Sequence, residues 1–373
     1  MFKTKYKVLL GLVAIPLIAI FTLARCGSSS PATTTTSSTA SNYIYVASGN
    51  SYAGNGVTPY TPSNTIVRYT TAGVLDRVVF DYSQYPGDTP VALINYDSKR
   101  LLVAIENATN LGGRRIDLVN KDGSGFTNYI ANSAVFGAAA NVITDLALTP
   151  DGGTIITRGI ASPSNIEKFS STKQRILLSN IAFVNNPLGG CISTNRRIQH
   201  LVMSPQGNII ASHPQIGGLN KLIMINSNGY QALADCFASQ AAPGATYFPT
   251  AMLMHSSGQL LVGYVDTTPT PNIETVYQYG VTASSFTGGT SAYTNFNILQ
   301  GISAMAEKID DTTVYIAASG STAGTLFNFN AVYQFTYSST AGTLTLVGSG
   351  PIIPPSVYTK SISAILAPGD GQL

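Results

Sequence analysis

Residues 143–159, ITDLALTPDGGTIITRG, carry the repeated unit from which the fold can be predicted. Two apolar runs rich in β-branched residues flank Pro150-Asp151-Gly152, and residues of these three types are common in tight turns. The stretch is therefore predicted to form a β-hairpin. The same pattern recurs in stretches that begin at Pro90, Ile198, Pro249 and Ile302.

A third and a fourth β-rich run follow the hairpins, with a second tight turn between them. KLIMIN, which begins at Lys221, is one of the third runs, and TLTLVG, which begins at Thr343, is one of the fourth runs. Four short strands joined one after another form one blade of a β-propeller. The repeat therefore predicts a propeller.

The two ends of the repeat region are complementary. YIYVAS (43–48) is a second strand without a first strand before it, and SISAILA (361–367) is a first strand without a second strand after it. Pairing of the two would close the ring and remove its free edge. First strands begin near residues 90, 143, 198, 249, 302 and 362, at intervals of 51 to 60 residues, which predicts six blades.

We therefore predict an all-β, six-bladed β-propeller of four-stranded antiparallel blades over residues 43–373. A right-handed β-helix is the competing all-β fold. Its repeat is shorter, and it would not need complementary strands at the two ends.

The turns LTPDG (148–152) and MSPQG (203–207) resemble the S-P-D-G turn of six-bladed propellers of the TolB-like, NHL and lactonase type. The resemblance extends over residues 43–373 at the level of architecture. It implies the closed ring, and it implies no single activity, because this architecture serves many functions.

The chain has few charges for its 373 residues. Charged residues make up 10% of it, against about 25% in a typical domain. Lys3, Lys5, Lys7 and Arg25 lie in the first 25 residues, and the other 16 basic residues face 17 acidic ones, a net charge of −1. A nucleic-acid partner would need a basic face and is not expected.

The N-terminus is predicted to be an export signal over residues 1–25. Its lysines precede 17 uncharged residues, 8–24, which is fewer than the roughly 20 that cross a bilayer. Leu23-Ala24-Arg25-Cys26 resembles the lipobox of bacterial lipoproteins and implies lipidation of Cys26, although Arg25 stands where that pattern has a small residue. An uncleaved anchor or a secreted protein is the alternative. Either way the domain is expected outside the cytoplasm.

Residues 26–42 are predicted to be the lipidated cysteine and a flexible tether, because Ser, Thr and Ala cannot bury enough surface to order the chain. We expect an exported protein of the cell envelope, held at a membrane by its lipid. Export also permits oxidation, so Cys191 and Cys236 are expected to pair in a disulfide between loops of successive blades. Two unpaired cysteines are the alternative.

The connections between second and third strands, and those between blades, are predicted to be long and to share one face of the ring, which we call the long-loop face. Residues 181–197 and 237–248 are two of these loops. Long loops on a compact scaffold often bind a partner. An envelope protein or a surface glycan is the expected partner, and the candidate ligand-binding residues are Tyr52, Tyr60, Arg114, Arg115, Arg197, His213 and Tyr247.

Asp145 and His200 are the candidates for catalysis. Alignment of the hairpins places them at one position of neighbouring inner strands, where the other four blades have Ala92, Ala251, Ala304 and Ala364. A carboxylate beside an imidazole orients a general base or supplies part of a metal site. The alternative is a structural Asp–His hydrogen bond. Two ligands complete a metal site only with water or other residues, so no cofactor is expected, and a metal at the tunnel mouth is the alternative. His255, beside a tight turn, is expected to be exposed.

The leading functional hypothesis is a binding module of the envelope that uses its long-loop face, and an enzyme is not favoured. A lactonase- or hydrolase-type enzyme with Asp145 and His200 at the tunnel mouth is one alternative. A structural subunit of an envelope assembly is the other.

Overall fold

The structure, a computed structural model, describes residues 43–49, 62–107, 109, 113–131, 143–158, 165–176, 198–213, 220–225, 236–266, 273–294, 301–319 and 330–367. All of them belong to the compact unit Thr39–Leu373. In these residues twenty-four strands form six four-stranded antiparallel sheets, and each sheet is one blade. The predicted blade number is confirmed.

The strands of each blade are given from the innermost outward. Blade 1 contains β24 (Ile362–Leu366), β1 (Tyr43–Ser48), β2 (Thr65–Thr70) and β3 (Leu75–Asp81). Blade 2 contains β4 (Asp88–Asn95), β5 (Arg100–Asn107), β6 (Arg115–Asn120) and β7 (Phe126–Ile130). Blade 3 contains β8 (Ile143–Leu148), β9 (Thr154–Arg158), β10 (Asn165–Phe169) and β11 (Arg175–Ile176).

The other three blades have the same order. Blade 4 contains β12 (Leu201–Met203), β13 (Ile209–His213), β14 (Lys221–Ile225) and β15 (Cys236–Ala241). Blade 5 contains β16 (Tyr247–Met254), β17 (Gln259–Asp266), β18 (Ile273–Val281) and β19 (Phe286–Thr294). Blade 6 contains β20 (Ile302–Glu307), β21 (Thr313–Ala318), β22 (Ala331–Ser338) and β23 (Thr343–Leu346). A 3-10 turn, Tyr82–Gln84, links blades 1 and 2.

The ring closes as the complementary strands predict. β24 pairs antiparallel with β1, and the register places Leu366 opposite Tyr45 and Ala364 opposite Ala47. Each inner strand lies beside the next, in the order β24, β4, β8, β12, β16, β20 and back to β24. Closure gives β1 its inner partner, so that blade 1 has four strands like the other blades and β1 has no free edge.

The apolar core is divided among the blade interfaces. Six clusters of buried side chains each join two neighbouring blades. Between blades 1 and 6, for example, Ile44 and Ile365 pack against Tyr315 and Val332. Burial of an aliphatic side chain of this size stabilises the fold by about 1.5–3 kcal/mol, so these interfaces hold the ring together.

At three of the interfaces a side chain also accepts a hydrogen bond from the backbone at the beginning of the next inner strand. Three such bonds link blades 2 and 3, blades 5 and 6, and blades 6 and 1. They run from Ile143 N to Glu106 (2.9 Å), from Gly301 N to Glu274 (2.9 Å) and from Ile362 N to Ser319 (2.7 Å). Burial raises the pKa of Glu274 to about 8.

Every inner strand carries one extra residue near its beginning, so that two of its residues oppose one on the second strand. In β8 the register shifts between Ile143 and Asp145, and the same shift occurs in β4, β16, β20 and β24. In blade 4 Ser212 bonds to the backbone of both Gln199 and His200. Such bulges bend a strand and redirect a side chain. The repeated bulge confirms the predicted alignment of the six inner-strand positions.

Candidate functional site

A cavity of about 640 Å³ runs along the centre of the ring. All six inner strands line it, from the residues beside the bulges to the turns that follow the first strands. Pockets that hold small molecules usually have volumes of about 300–1,000 Å³. The cavity is therefore large enough for a small ligand.

The residue after each bulge forms what we call the collar of this cavity. Its six members are Ala92, Asp145, His200, Ala251, Ala304 and Ala364. Four alanines leave space, whereas the two polar side chains stand on neighbouring blades. The collar is therefore small and apolar on most of its circumference, with one polar sector.

Asp145 links blade 3 to blade 4. One carboxylate oxygen accepts a hydrogen bond from Leu146 N at 2.8 Å, and the other accepts one from Leu201 N at 2.8 Å. Its side chain is 22% exposed. Burial raises the pKa of Asp145 to about 7, although both backbone hydrogen bonds act in the opposite direction. The group therefore titrates near neutral pH.

His200 lies beside Asp145 without a hydrogen bond to it. Its Nδ1 is 3.9 Å from Oδ2 of Asp145, which is too long for a hydrogen bond. The alternative of a structural Asp–His hydrogen bond is therefore wrong, because the oxygens of Asp145 bind backbone N–H groups instead. Burial lowers the pKa of His200 to about 4, so its imidazole is neutral at pH 7.

The Nε2 atom of His200 is buried and has no hydrogen-bond partner within the described part of the chain. An unpaired buried polar atom costs about 1–3 kcal/mol. A neutral imidazole with a free nitrogen can either accept or donate one hydrogen bond. The polar sector thus combines an imidazole whose Nε2 lacks a partner with a carboxyl group whose pKa is about 7.

Within the described ranges, no group of three or more His, Cys, Asp or Glu side chains is arranged so that it could bind a metal ion. Asp145 and His200 supply two candidate ligands, as the sequence indicated.

His255 occupies the far end of the cavity, at the turn between β16 and β17. It is 1% exposed, so the expectation that it is exposed is wrong. Its Nδ1 accepts a hydrogen bond from Ser257 N at 3.1 Å, and its Nε2 is 3.2 Å from Glu307 of blade 6. The ring of Tyr337 packs against it at 4.5 Å. The neighbouring blade therefore covers this histidine, which caps its own turn.

Arg114 lies in the interior, so its prediction as a ligand-binding residue is corrected. Its side chain is 2% exposed, and its Nε donates to Glu106 at 2.6 Å. Glu106 also accepts the bond from Ile143 N described above. The guanidinium group therefore stabilises the interface of blades 2 and 3 from inside and cannot meet a partner.

Arg115 is also held by carboxylates of its own blade. It contacts Asp88 at 2.6 Å and Asp117 at 2.9 Å, with 14% of its side chain exposed. Burial raises the pKa of Asp117 to about 6, although Arg115 acts to lower it. Arg115 therefore holds two carboxylates of blade 2 together.

Tyr247 begins β16 and packs among the tyrosines of blade 5. Its ring lies edge-on to Tyr264 and Tyr277, with centroids 6.3 and 6.2 Å away. Tyr264 in turn contacts the hydroxyl of Tyr279 at 3.1 Å. Tyr247 is partly exposed, so one edge of this cluster remains accessible.

The other predicted residues are described in part or not at all. Tyr52, Tyr60, Arg197, Cys26 and Cys191 lie outside the described residues. For His213 only the backbone is described, at the end of β13.

Cys236 begins β15, opposite Ile225 at the end of β14. It therefore lies at the end of blade 4 where the third strand turns into the fourth. The expected loop over 237–248 is wrong, because β15 reaches Ala241 and only residues 242–246 connect it to β16. The expected position of Cys236, on the long-loop face, is therefore also wrong, since Cys236 follows the turn from the third to the fourth strand of blade 4.

The described residues form no helix that is both long enough and apolar enough to cross a lipid bilayer.

Known proteins resemble the chain in architecture. No protein-family model matches it, and no curated protein matches it. A chain in the crystal structure of a nidogen/laminin complex aligns with a TM-score of 0.54 and 11% identity, over 87% of this chain and 97% of that chain.

Two further structures align at similar levels. Hydrazine synthase of Kuenenia stuttgartiensis has a TM-score of 0.51 and 12% identity, over 83% of this chain and 85% of that chain. The periplasmic gluconolactonase of Pseudomonas aeruginosa has a TM-score of 0.50 and 15% identity, over 84% of each chain. These likenesses establish the six-bladed β-propeller fold that the resemblance of the turns implied.

Proposed function

We propose that the protein is an exported, lipid-anchored binding module of the cell envelope whose ligand enters the central cavity at the collar. The collar carries this proposal. Four alanines leave room for a ligand, and the one polar sector supplies groups that can orient it. A few fixed polar groups in a largely apolar pocket are typical of small-ligand sites.

The chemistry of the collar favours an uncharged glycan end. A neutral imidazole and a carboxyl group near half-protonation can accept and donate hydrogen bonds to sugar hydroxyls. The collar has no cationic side chain for a phosphate or a carboxylate.

Filling the collar tests this proposal. We expect Ala304→Leu, which places a larger side chain opposite the polar sector, to abolish saccharide binding measured by calorimetry on the full chain. Ala283→Leu, at an exposed turn of blade 5, is the matched control and should bind as the unmodified chain does. Equal binding by Ala304→Leu and the unmodified chain would contradict a collar site.

The anchor is tested separately from the ligand site. If Cys26 is lipidated, incorporation of a labelled fatty-acid analogue should disappear in Cys26→Ser while the unmodified chain is labelled. Labelling that survives this substitution would refute the anchor assignment and leave the ligand site unaffected.

A hydrolase of lactonase type is the second candidate, and the titration of Asp145 favours it. A general base is most effective when its pKa is close to the working pH, and the pKa of Asp145 is about 7. The Pseudomonas gluconolactonase shares the architecture. We would then expect the full chain to hydrolyse gluconolactone and Asp145→Asn to lose that activity at least a hundredfold. No hydrolysis above the uncatalysed rate would reject this candidate.

A further inference from the structure

A groove of about 900 Å³ between blades 1 and 2 concentrates much of the positive charge of the ring. Five cationic side chains line it: Arg68, Arg77, Lys99, Arg100 and Lys121. Three carboxylates accompany them: Asp76, Asp97 and Asp122. We call this the basic groove. It has a net charge of +2, whereas the rest of residues 43–373 has a net charge of −3.

Three of these cations can meet a ligand from solvent. The side chains of Arg77 and Arg100 are 47% and 41% exposed, although Arg77 pairs with Asp76 and Arg100 with Asp97. The side chain of Lys99 is exposed as well. Arg68 is 12% exposed and pairs with Asp76. Arg77, Lys99 and Arg100 therefore form the accessible part of the groove.

Lys121 adds charge from the floor of the groove. It is 7% exposed, and its Nζ donates to the carbonyl oxygen of Asp97 at 2.8 Å. The ring of Tyr45 lies 5.9 Å from this nitrogen. Burial lowers the pKa of Lys121, and the attraction of an anion in the groove would offset the cost of burying its ammonium group.

The tip of blade 1, Val74 and Leu75, exposes aliphatic surface two residues before Arg77. The two side chains are 62% and 47% exposed. A bond from Thr70 N to Val74 O, 2.8 Å long, fixes their turn. Binding at a membrane surface increases with the apolar area that is buried and with the attraction of basic side chains to anionic lipid.

The chain enters the ring at the same place. β1 begins at Tyr43, which lines the basic groove and pairs with Thr70 beside the tip. The 42 preceding residues include Cys26 and the Ser/Thr-rich segment. A membrane attachment in that segment would therefore hold the tip and the groove close to the bilayer.

We propose that the blade 1 tip and the basic groove form a docking surface for an anionic lipid bilayer. Val74 and Leu75 enter the boundary between headgroups and acyl chains, while Arg77, Lys99 and Arg100 contact lipid phosphates. Apolar insertion and attraction to anionic lipid reinforce each other at such surfaces. The inference rests on the proposed envelope location, but not on acylation at Cys26.

The absence of tryptophan from the sequence permits a direct test. Val74→Trp in the full chain gives a single fluorescent reporter at the tip. With vesicles of phosphatidylcholine and phosphatidylglycerol, we expect its emission to shift to the blue and to be quenched by brominated acyl chains. Ala283→Trp, at the corresponding exposed turn of blade 5, is the matched control and should not be quenched.

Charge removal tests the groove separately. Three added substitutions in the Val74→Trp chain, Arg77→Gln, Lys99→Gln and Arg100→Gln, should weaken docking about 100-fold, since each basic residue near an anionic surface contributes roughly fivefold. Lys360→Gln removes one exposed charge near the far end of β1 and should change nothing. Equal quenching in the triple variant would overturn the role of the groove.

Vesicle flotation separates the two proposals. A chain that floats with vesicles while its Val74→Trp emission stays unquenched would refute the docking surface and leave the envelope location standing. A chain that floats with neither anionic nor zwitterionic vesicles would refute the docking surface, whereas recovery of the full chain in the cytoplasmic fraction of cells would refute the envelope location. Thermal stabilisation by inorganic phosphate without quenching by vesicles would assign the groove to a soluble anion and overturn bilayer docking.

Discussion

Substitution of Asp145 by asparagine should change the stability of the ring by an amount that depends on pH. Burial raises the pKa of this carboxyl group to about 7, whereas in the unfolded chain it is about 3.9. Between these values the native state holds a proton that the unfolded chain has lost. The favourable contribution of Asp145 is therefore complete below about pH 4 and is lost as the pH rises to about 7.

The size of this effect follows from the shift. Three pKa units at about 1.4 kcal/mol each correspond to about 4 kcal/mol. Asparagine has no proton to lose, but its single carbonyl oxygen can accept only one of the bonds from Leu146 N and Leu201 N, which costs about 1 kcal/mol. We expect Asp145→Asn to destabilise the ring by about 1 kcal/mol near pH 4 and to stabilise it by about 3 kcal/mol near pH 8.

Urea unfolding of the two proteins across this pH range measures the difference. His200, with a pKa of about 4, is present in both proteins, so its own titration largely cancels. Ala283→Leu, at an exposed turn of blade 5, adds and removes no titratable group, and its difference from the unmodified chain should stay flat across this range. A difference for Asp145→Asn that is equally flat would refute the assignment of a buried, protonated carboxyl group at the collar.

Three further predictions concern the joints between blades. Arg114→Met should destabilise the fold by about 3–5 kcal/mol in urea unfolding, because it leaves Glu106 buried and unpaired; the double variant with Glu106→Leu should recover part of that loss, and no recovery would contradict the pairing. Glu274→Ala, which removes the acceptor of Gly301 N, should cost about 1–3 kcal/mol, and an unchanged midpoint would show that the bond has no role. Deletion of residues 362–373 removes β24 and should turn the monomer peak into aggregates in size-exclusion chromatography; a soluble, cooperatively folding monomer would disprove closure by this strand.

The sequence predicted the ring because its information is local and repeated. A hairpin such as 143–159 is specified by β-branched runs around a turn. One such pattern is weak evidence for a fold, but its repetition at near-constant intervals indicates a propeller. The complementary strands 43–48 and 361–367 then fix the closure. The collar position of Asp145 and His200 followed from the same alignment.

Features that depend on packing between blades could not be predicted in this way. Arg114 and His255 belong to residue types that are usually exposed, and only the neighbouring blade covers them. Asp145 and His200 do not bond to each other because Leu146 N and Leu201 N occupy the carboxylate, and the contact with Leu201 joins two blades. Cys236 was misplaced because a strand of mixed polarity, CFASQA, reads as a loop when its neighbours are not known.

The most direct test of the central claim is a crystal structure of the full chain with the saccharide that binds it most tightly in calorimetry. The proposed function predicts density for one sugar ring inside the central cavity, within hydrogen-bond distance of Asp145 and His200. A saccharide bound elsewhere on the ring, with only water at the collar, would contradict it.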